Sequence, residues 1–255
     1  MSRDAADLAN PSACAAAILE ARPSVVINAA AYTAVDRAEE NEDLAQIIND
    51  EAPGEMARAC AELDIPFLHI STDYVFDGSG DRPWSPTDPT APVNAYGRSK
   101  AAGEAAVRAA EGRHAILRTS WVFSATGSNF VTTMLRLSES RDALNIVEDQ
   151  IGGPTPALAI AEALLEMAGS MVRGQAGGTY HFAGAPAKSW KGFAEAIFAA
   201  ADRQVSVTGI PTKDYPTPAK RPLNSRLDCS ALEADFGIRP PDWRVALHDV
   251  VKELT

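Results

Sequence analysis

Short, almost unbroken apolar runs alternate along this chain with longer stretches of helical composition, and that alternation restricts the fold more than any other property of the sequence. The runs SVVINAA (24–30), PFLHIST (66–72), AILRTSWVF (115–123) and ALNIVED (143–149) read as strands covered on both faces. Between them, residues 38–63, 95–111 and 129–140 are rich in Ala, Leu, Glu and Arg and read as helices. Strand, helix, strand in this order requires crossover connections and hence a parallel sheet. Beyond Gly152-Gly153-Pro154 the pattern continues with a helix over 156–172, the strand GTYHFAG, the helix SWKGFAEAIFAAAD and a strand near 204–210. A proline-rich link over 211–223 and two short helices close the chain. The expected architecture is α/β. Residues 1–142 build a doubly wound parallel sheet, and residues 143–255 form mostly a smaller lobe, with some elements returning to the first part.

Such a chain needs function classes excluded before residues are assigned roles. Its formal charge is −11, so long-range repulsion opposes non-specific binding to nucleic acid or anionic lipid. Any anionic ligand must be held by a local cluster of Arg and Lys. Cys14, Cys60 and Cys229 are widely separated and lack metal-ligand spacing, which fits a reducing compartment and packing roles. No carboxylate or His cluster has metal spacing, so no metal is expected. No apolar run approaches the roughly 20 residues of a membrane-spanning helix, and MSRDAADLAN lacks the basic-then-apolar order of a signal peptide. A cytoplasmic protein is the expectation.

In open parallel sheets, ligands bind at the carboxyl ends of the strands. The first strand ends NAAAYT, where Ala29, Ala30 and Ala31 leave the backbone open to a flat ligand or to close helix packing. The second ends STDYVFDG, which places Thr72 and Asp73 at a terminus where they can meet a ligand or cap the next turn. The third ends TSW, with Trp121 as core or as ligand wall. Next to these, NAYGRSKAAGE opens a helix for which Asn94 is the N-cap, so Tyr96 and Lys100 share one helical face. A phenol with a pKa of about 10 is a poor acid near neutrality, and a neighbouring ammonium lowers that value. Such a pair can carry general acid–base chemistry, with Thr72 offering a hydroxyl to the same oxygen.

This Thr, Tyr and Lys constellation resembles the extended short-chain dehydrogenase/reductases. NAAAYTAVDRAE, STDYVFDG, DPTAPVNAYGRSKAAGE, RTSWVF, NFVTTMLRL, DQIGGPTPA, YHFAG, SWKGFAEAIF and KRPLNSRLD follow one another along nearly the whole chain. Together they are similar to the dTDP-4-dehydrorhamnose reductases within that family. The resemblance implies a Rossmann-like domain, NADPH or NADH as cofactor, and a nucleotide sugar, dTDP-4-dehydrorhamnose, as substrate. It implies Thr72, Tyr96 and Lys100 as catalytic residues, with Tyr96 giving a proton to the C4 oxygen and Lys100 depressing the tyrosine pKa. Asp7, Leu8, Ala31, Tyr32 and Thr33, with Tyr96 and Lys100, would line the cofactor. Thr72, Asp73, Trp121, Arg221, Asn224 and Arg226 would meet the substrate, the guanidinium forks suiting its diphosphate. No nucleic-acid or membrane partner is expected, and a homodimer is the expected assembly. His69, His114, His181 and His248 match none of these roles and read as structural. Another nucleotide-sugar 4-ketoreductase stays open as an alternative. So does a non-catalytic binding module like the regulatory subunit of methionine adenosyltransferase.

The sequence departs from the family pattern at its start. A dinucleotide-binding fold opens with a strand, a glycine-rich turn and a helix whose N-terminus holds the pyrophosphate. No G-x-G-x-x-G or G-x-x-G-x-x-G occurs in this chain, whose resemblance begins about one βα unit late. The reading is therefore of an N-terminally truncated Rossmann-like domain. Either Met1 is an internal start and about 30 residues, one βα unit, precede it, or the chain exists as written. In the second case weak or absent NAD(P)H binding is expected.

Overall fold

The computed structural model describes residues 5–255. After helix α1 (Pro11–Ala21), strands β1 (Val26–Asn28), β2 (Phe67–Thr72) and β3 (His114–Thr119) lie side by side, all parallel. The expected helix over 38–63 is instead broken into α2 (Val35–Ala38), α3 (Glu42–Gln46), a π turn (Ile47–Glu51) and α4 (Ala52–Glu62). Pro53 sits at the start of α4, where its missing N–H is tolerated. Helix α5 (Ala95–Ala109) joins β2 to β3. The expected strand over 115–123 also divides, into β3 and β4 (Val122–Phe123), because Trp121 takes a left-handed backbone with φ 49°. That bend sends β4 out of the main sheet to pair with β7 (Thr155–Pro156).

The second half follows with α6 (Phe130–Ser138), β5 (Ala143–Val147), β6 (Ile151–Gly152), α7 (Ala157–Val172), β8 (Thr179–His181), β9 (Lys188–Ser189) and α8 (Trp190–Ala200). Strand β10 (Ser206–Ile210), β11 (Asn224–Ser225), α9 (Ser230–Phe236) and α10 (Trp243–Leu254) complete it. The main sheet has four strands in the order β1-β2-β3-β8. Strand β1 ends that sheet, with no strand on its outer edge among the described residues. Strand β5, at the start of the second region, does not join it and pairs in parallel with β10.

The period-two alternation of strand side chains decides which helices cover which face. Phe67 and Ile116 pack with Cys14, Ile18, Met56 and Cys60 of α1 and α4 on one face. Leu68, Leu117 and Tyr180 pack with Ile160, Leu164, Met167 and Met171 of α7 on the other. The sheet is doubly wound, and α7, β8 and α9 return to it from the second half. A separate cluster of Phe123, Met134, Leu144, Phe193, Ile197, Trp243 and Leu247 makes the core of the smaller lobe. Helix α6 belongs to that lobe through its packing on α8, so a boundary at 142 falls inside the lobe.

A buried ion pair locks α5 to β3. Glu104 accepts from both Arg118 Nε (2.8 Å) and Arg118 Nη2 (2.7 Å), with both residues buried. A bidentate carboxylate–guanidinium pair adds geometric specificity as well as energy. One position earlier, a Cβ on Gly103 would collide with the carbonyl oxygen of Asn49, so α5 approaches the π turn at glycine contact. Glu104→Ala would leave the Arg118 charge buried and unpaired. We expect a loss of about 3–5 kcal/mol in urea unfolding. An unchanged midpoint would show that the pair does not hold this helix.

Candidate active site

Strands β1, β2 and β3 end at one cavity of about 900 Å³. Ala29, Ala31 and Thr33 line it from the segment after β1; Thr72 and Asp73 from the end of β2; Thr119, Ser120 and Trp121 from the end of β3. Helix α5 contributes Tyr96 and Lys100, and Trp190 and Arg221 close the far side. A second cavity of about 950 Å³ shares Val35, Tyr74, Phe130, Trp190 and Arg221 with the first and extends toward Gln150 and Tyr215.

Side-chain amides and carboxylates set this arrangement. Asn94 Oδ1 accepts the Gly97 N–H at 2.7 Å, capping α5, while its Nδ2 donates to the Lys220 carbonyl at 2.8 Å. The cap therefore also ties the proline-rich link to the start of the helix. Buried Asn49 accepts from Tyr32 N (2.8 Å) and donates to Tyr32 O (3.1 Å) and Ser99 Oγ (3.0 Å), fixing the chain after β1 against α5. Asp36 receives Arg221 Nη2 at 2.7 Å and the Ala219 N–H at 3.2 Å. Arg221 is thus anchored at Nη2, while its Nη1 is buried beside Tyr74.

The electrostatics are those of a dry site. Burial raises the Tyr96 phenol above its ordinary value; a hydrogen bond to the Thr72 side chain only partly opposes this. Thr72 Oγ1 donates to Asp73 Oδ1 at 3.0 Å. Burial pushes Asp73 up to about 6, against the lowering effect of the Ser225 and Thr72 hydroxyls. Burial pulls Lys100 down to about 8, opposed by Glu104. Among the described residues, Thr119 Oγ1 is buried without a hydrogen-bond partner, and Ser71 Oγ, Asp73 Oδ2 and Arg221 Nη1 lack a well-formed one, with Glu104, Ser225 and Tyr74 as their weakly engaged neighbours. All four residues line the same cavity. A buried group left unsatisfied costs about 1–3 kcal/mol, and the concentration of such poorly paired atoms at one place marks a surface built for a polar ligand.

Of the residues singled out in the sequence, the cavity brings together Thr72, Asp73, Tyr96, Lys100, Trp121, Arg221, Ala31 and Thr33. Asp7, Leu8 and Tyr32 line a different groove of about 840 Å³ along β1, which shares Ala29, Ala31 and Thr33 with the first. Asn224 and Arg226 do not line the cavity. Asn224 Nδ2 donates to the carbonyls of Ser79 and Arg82, and Arg226 Nη1 to Asp81 O and Asn224 Oδ1. These two side chains secure the loop after β2, Asn224 with both hydrogens of its amide and Arg226 through Nη1. The coupling of Lys100 to Tyr96 also needs correction. The Lys100 amine donates to Ile70 O at 2.7 Å and lies 3.1 Å from His69 Nε2, since a buried amine takes the nearest polar partners. The phenol is left unlowered. His69, read as structural, therefore contacts a site residue. Trp190, which stacks on Trp121 at 3.5 Å and 9°, was invisible at the start of an otherwise ordinary apolar helix. Pairing of β1 with β2 sets Asn28 opposite His69, a proximity that spacing alone does not reveal.

A doubly wound sheet with a Thr, Tyr and Lys set at its strand ends defines the extended short-chain dehydrogenase/reductase class. Within it, the family described as "RmlD substrate binding domain" matches residues 1–255, and the chain belongs to that family. A dTDP-4-dehydrorhamnose reductase of Burkholderia thailandensis is 46% identical over 267 residues, covering 100% of this chain and 90% of the relative. The crystal structure of a dTDP-4-dehydrorhamnose reductase of Clostridium acetobutylicum superposes with TM-score 0.94 at 37% identity, covering 100% of this chain and 89% of the other. That of a Bacillus anthracis dTDP-4-dehydrorhamnose reductase in complex with NADP gives 0.91 at 34% identity, covering 99% and 89%.

The cavity suits the nicotinamide end of such a cofactor. The small side chains of Ala29 and Ala31 leave main chain open beside Lys100 and the orphaned Thr119 hydroxyl. The adjoining groove along β1 gives a continuous path for the rest of a dinucleotide, although no Lys or Arg is among the residues that line it.

Asp73 supplies a pH test. Its folded pKa of about 6 lies above the unfolded value of about 4, so between these the native state binds more protons. The destabilisation is complete above pH 6, fades as pH falls through 6 and is gone below about 4. Asp73→Asn is expected to be more stable than the unmodified chain by about 1–3 kcal/mol at pH 7.5. Urea unfolding should show the difference closing near pH 4; equal stabilities at pH 7.5 would contradict this.

Proposed function

We propose that this chain is an NADPH- or NADH-dependent reductase that converts dTDP-4-dehydro-β-L-rhamnose to dTDP-L-rhamnose, in dTDP-rhamnose biosynthesis. Membership of the family and relatives named dTDP-4-dehydrorhamnose reductase support the reaction. The observation that carries the site is the collection of poorly paired polar atoms around Tyr96 and Thr72. When bound, the cofactor supplies the hydride that C4 of the sugar receives.

This chain's own residues handle the oxygen. The Tyr96 phenol, raised by burial still further above neutrality, is protonated at neutral pH, which is the state a proton donor must have. Thr72, which accepts from that phenol and gives its one hydrogen to Asp73 in the ligand-free protein, can turn that hydrogen to the C4 oxygen as charge develops there. Asp73 and the Trp121–Trp190 stack bound the space for the sugar ring. Arg221 lies where the first cavity meets the second, a position suited to a diphosphate. The second cavity then has room for the nucleoside. No helix among the described residues is long and apolar enough to cross a membrane; a cytoplasmic homodimer belongs to the same reading. A purely regulatory binding module would not need Thr72, Tyr96 and Lys100 around one cavity, which favours the enzyme.

Incubation with dTDP-4-dehydro-L-rhamnose and NADPH should give dTDP-L-rhamnose with equimolar loss of absorbance from the reduced cofactor. Tyr96→Phe should lower kcat by about 100-fold or more while KM changes little. An unchanged kcat would remove Tyr96 as proton donor. No conversion, despite measured binding of both ligands, would reject the reaction.

A further inference from the structure

The buried contact between His69 and Lys100 fixes more than position, because the hydrogens along it can be counted. Asn28 and His69 are direct cross-strand partners on β1 and β2, and both are buried. Asn28 Oδ1 accepts the Ala30 N–H at 3.1 Å. The amide therefore turns its NH2 toward the ring, with Nδ2 3.2 Å from His69 Nδ1. A donor facing Nδ1 requires a bare nitrogen there. Burial holds the imidazole pKa well below its ordinary value, so the ring is neutral and its one proton sits on Nε2. That N–H points at Lys100 Nζ, 3.1 Å away.

An ammonium at Nζ would set donor against donor. An amine accepts the ring N–H with its lone pair, gives one hydrogen to Ile70 O at 2.7 Å and keeps the other for the cavity that Lys100 lines. Burial has already brought Lys100 down to about 8, and the opposing N–H acts in the same direction. Other charges around α5 are engaged elsewhere. Glu104 on the same helix is held by Arg118 and Arg108, Glu42 on α3 by Arg98, and Asp36 on α2 by Arg221. Asp73, after β2, bonds Thr72, and Asp50 lies on the π turn with burial raising its own pKa.

We propose that His69, set by Asn28 in its Nε2–H tautomer, is a positioning residue of the reductase site that holds Lys100 as an uncharged amine in the ligand-free protein. This rests on the reductase reading for its place in the reaction. Charging Lys100 requires the ring proton to move from Nε2 to Nδ1 and the Asn28 amide to turn, so lysine charge, ring tautomer and amide orientation change together.

The test uses the whole 255-residue protein, labelled with 15N at His and Lys and free of cofactor and substrate. At pH 7.5 its NMR spectra should show His69 protonated at Nε2 and bare at Nδ1, with the Lys100 Nζ resonance in the amine range. Asn28→Asp replaces the NH2 with a carboxylate oxygen of the same shape. It should move the ring proton to Nδ1 and shift Lys100 Nζ into the ammonium range. An Nδ1–H ring, an imidazolium or an ammonium in the unmodified protein would overturn the proposal, as would an unchanged tautomer in folded Asn28→Asp. Because no substrate is present, absence of turnover would reject the reductase reading and leave these spectra to judge His69 separately.

Discussion

The bidentate pair between Glu104 and Arg118 is the interaction on which the rest of the site depends. Tyr96 and Lys100 lie on α5 and their targets lie at the ends of β2 and β3, so the distance between acid and ligand is the distance between helix and sheet. A buried ion pair is weak evidence of net stability and strong evidence of geometry, because breaking it strands a charge. Here it joins the middle of α5 to β3, while Asn94 and Asn49 fix the start of the helix to the proline-rich link and to the segment after β1. Glycine at 103 permits the close approach of α5 to the π turn that carries Asn49.

Around that fixed helix, the cavity departs from the rule that buried polar atoms are satisfied. Ser71, Asp73, Thr119 and Arg221 each keep a polar atom without a well-formed partner. The same environment pushes Tyr96 and Asp73 up and Lys100 down, so burial has shifted all three groups before any ligand arrives. A low-dielectric pocket with preoriented donors stabilises developing charge more strongly than water does, since nothing has to reorganise during the reaction.

Much of this was legible in the sequence where local rules govern. The strand runs found β2 almost to the residue, Asn94 announced the cap of α5, and the spacing of Tyr96 and Lys100 placed both toward one cavity. Features set by long-range contact were not legible. Nothing local to AILRTSWVF marks the left-handed turn at Trp121 that splits the run, and helical composition over 38–63 conceals a π turn shaped by packing against α5. Arg226 and Asn224 carry the chemistry of ligand-binding groups, yet the Asn224 amide and Arg226 Nη1 are tied to carbonyls about 140 residues away in the chain, a separation seen in the Asn224–Arg82 bond. His69 looked like any strand histidine until cross-strand pairing set Asn28 on one side of its ring and the fold of α5 set Lys100 on the other.

The account's central claim is that Tyr96 and Thr72 together hold the oxygen at C4 of a nucleotide-linked sugar. The measurement that reaches it most directly is a crystal structure of the chain with dTDP-L-rhamnose. The account predicts the C4 hydroxyl within about 3.2 Å of both Tyr96 Oη and Thr72 Oγ1, with the diphosphate against Arg221. A sugar bound with C4 turned away from Tyr96, or seated outside the cavity between α5 and the strand ends, would contradict it.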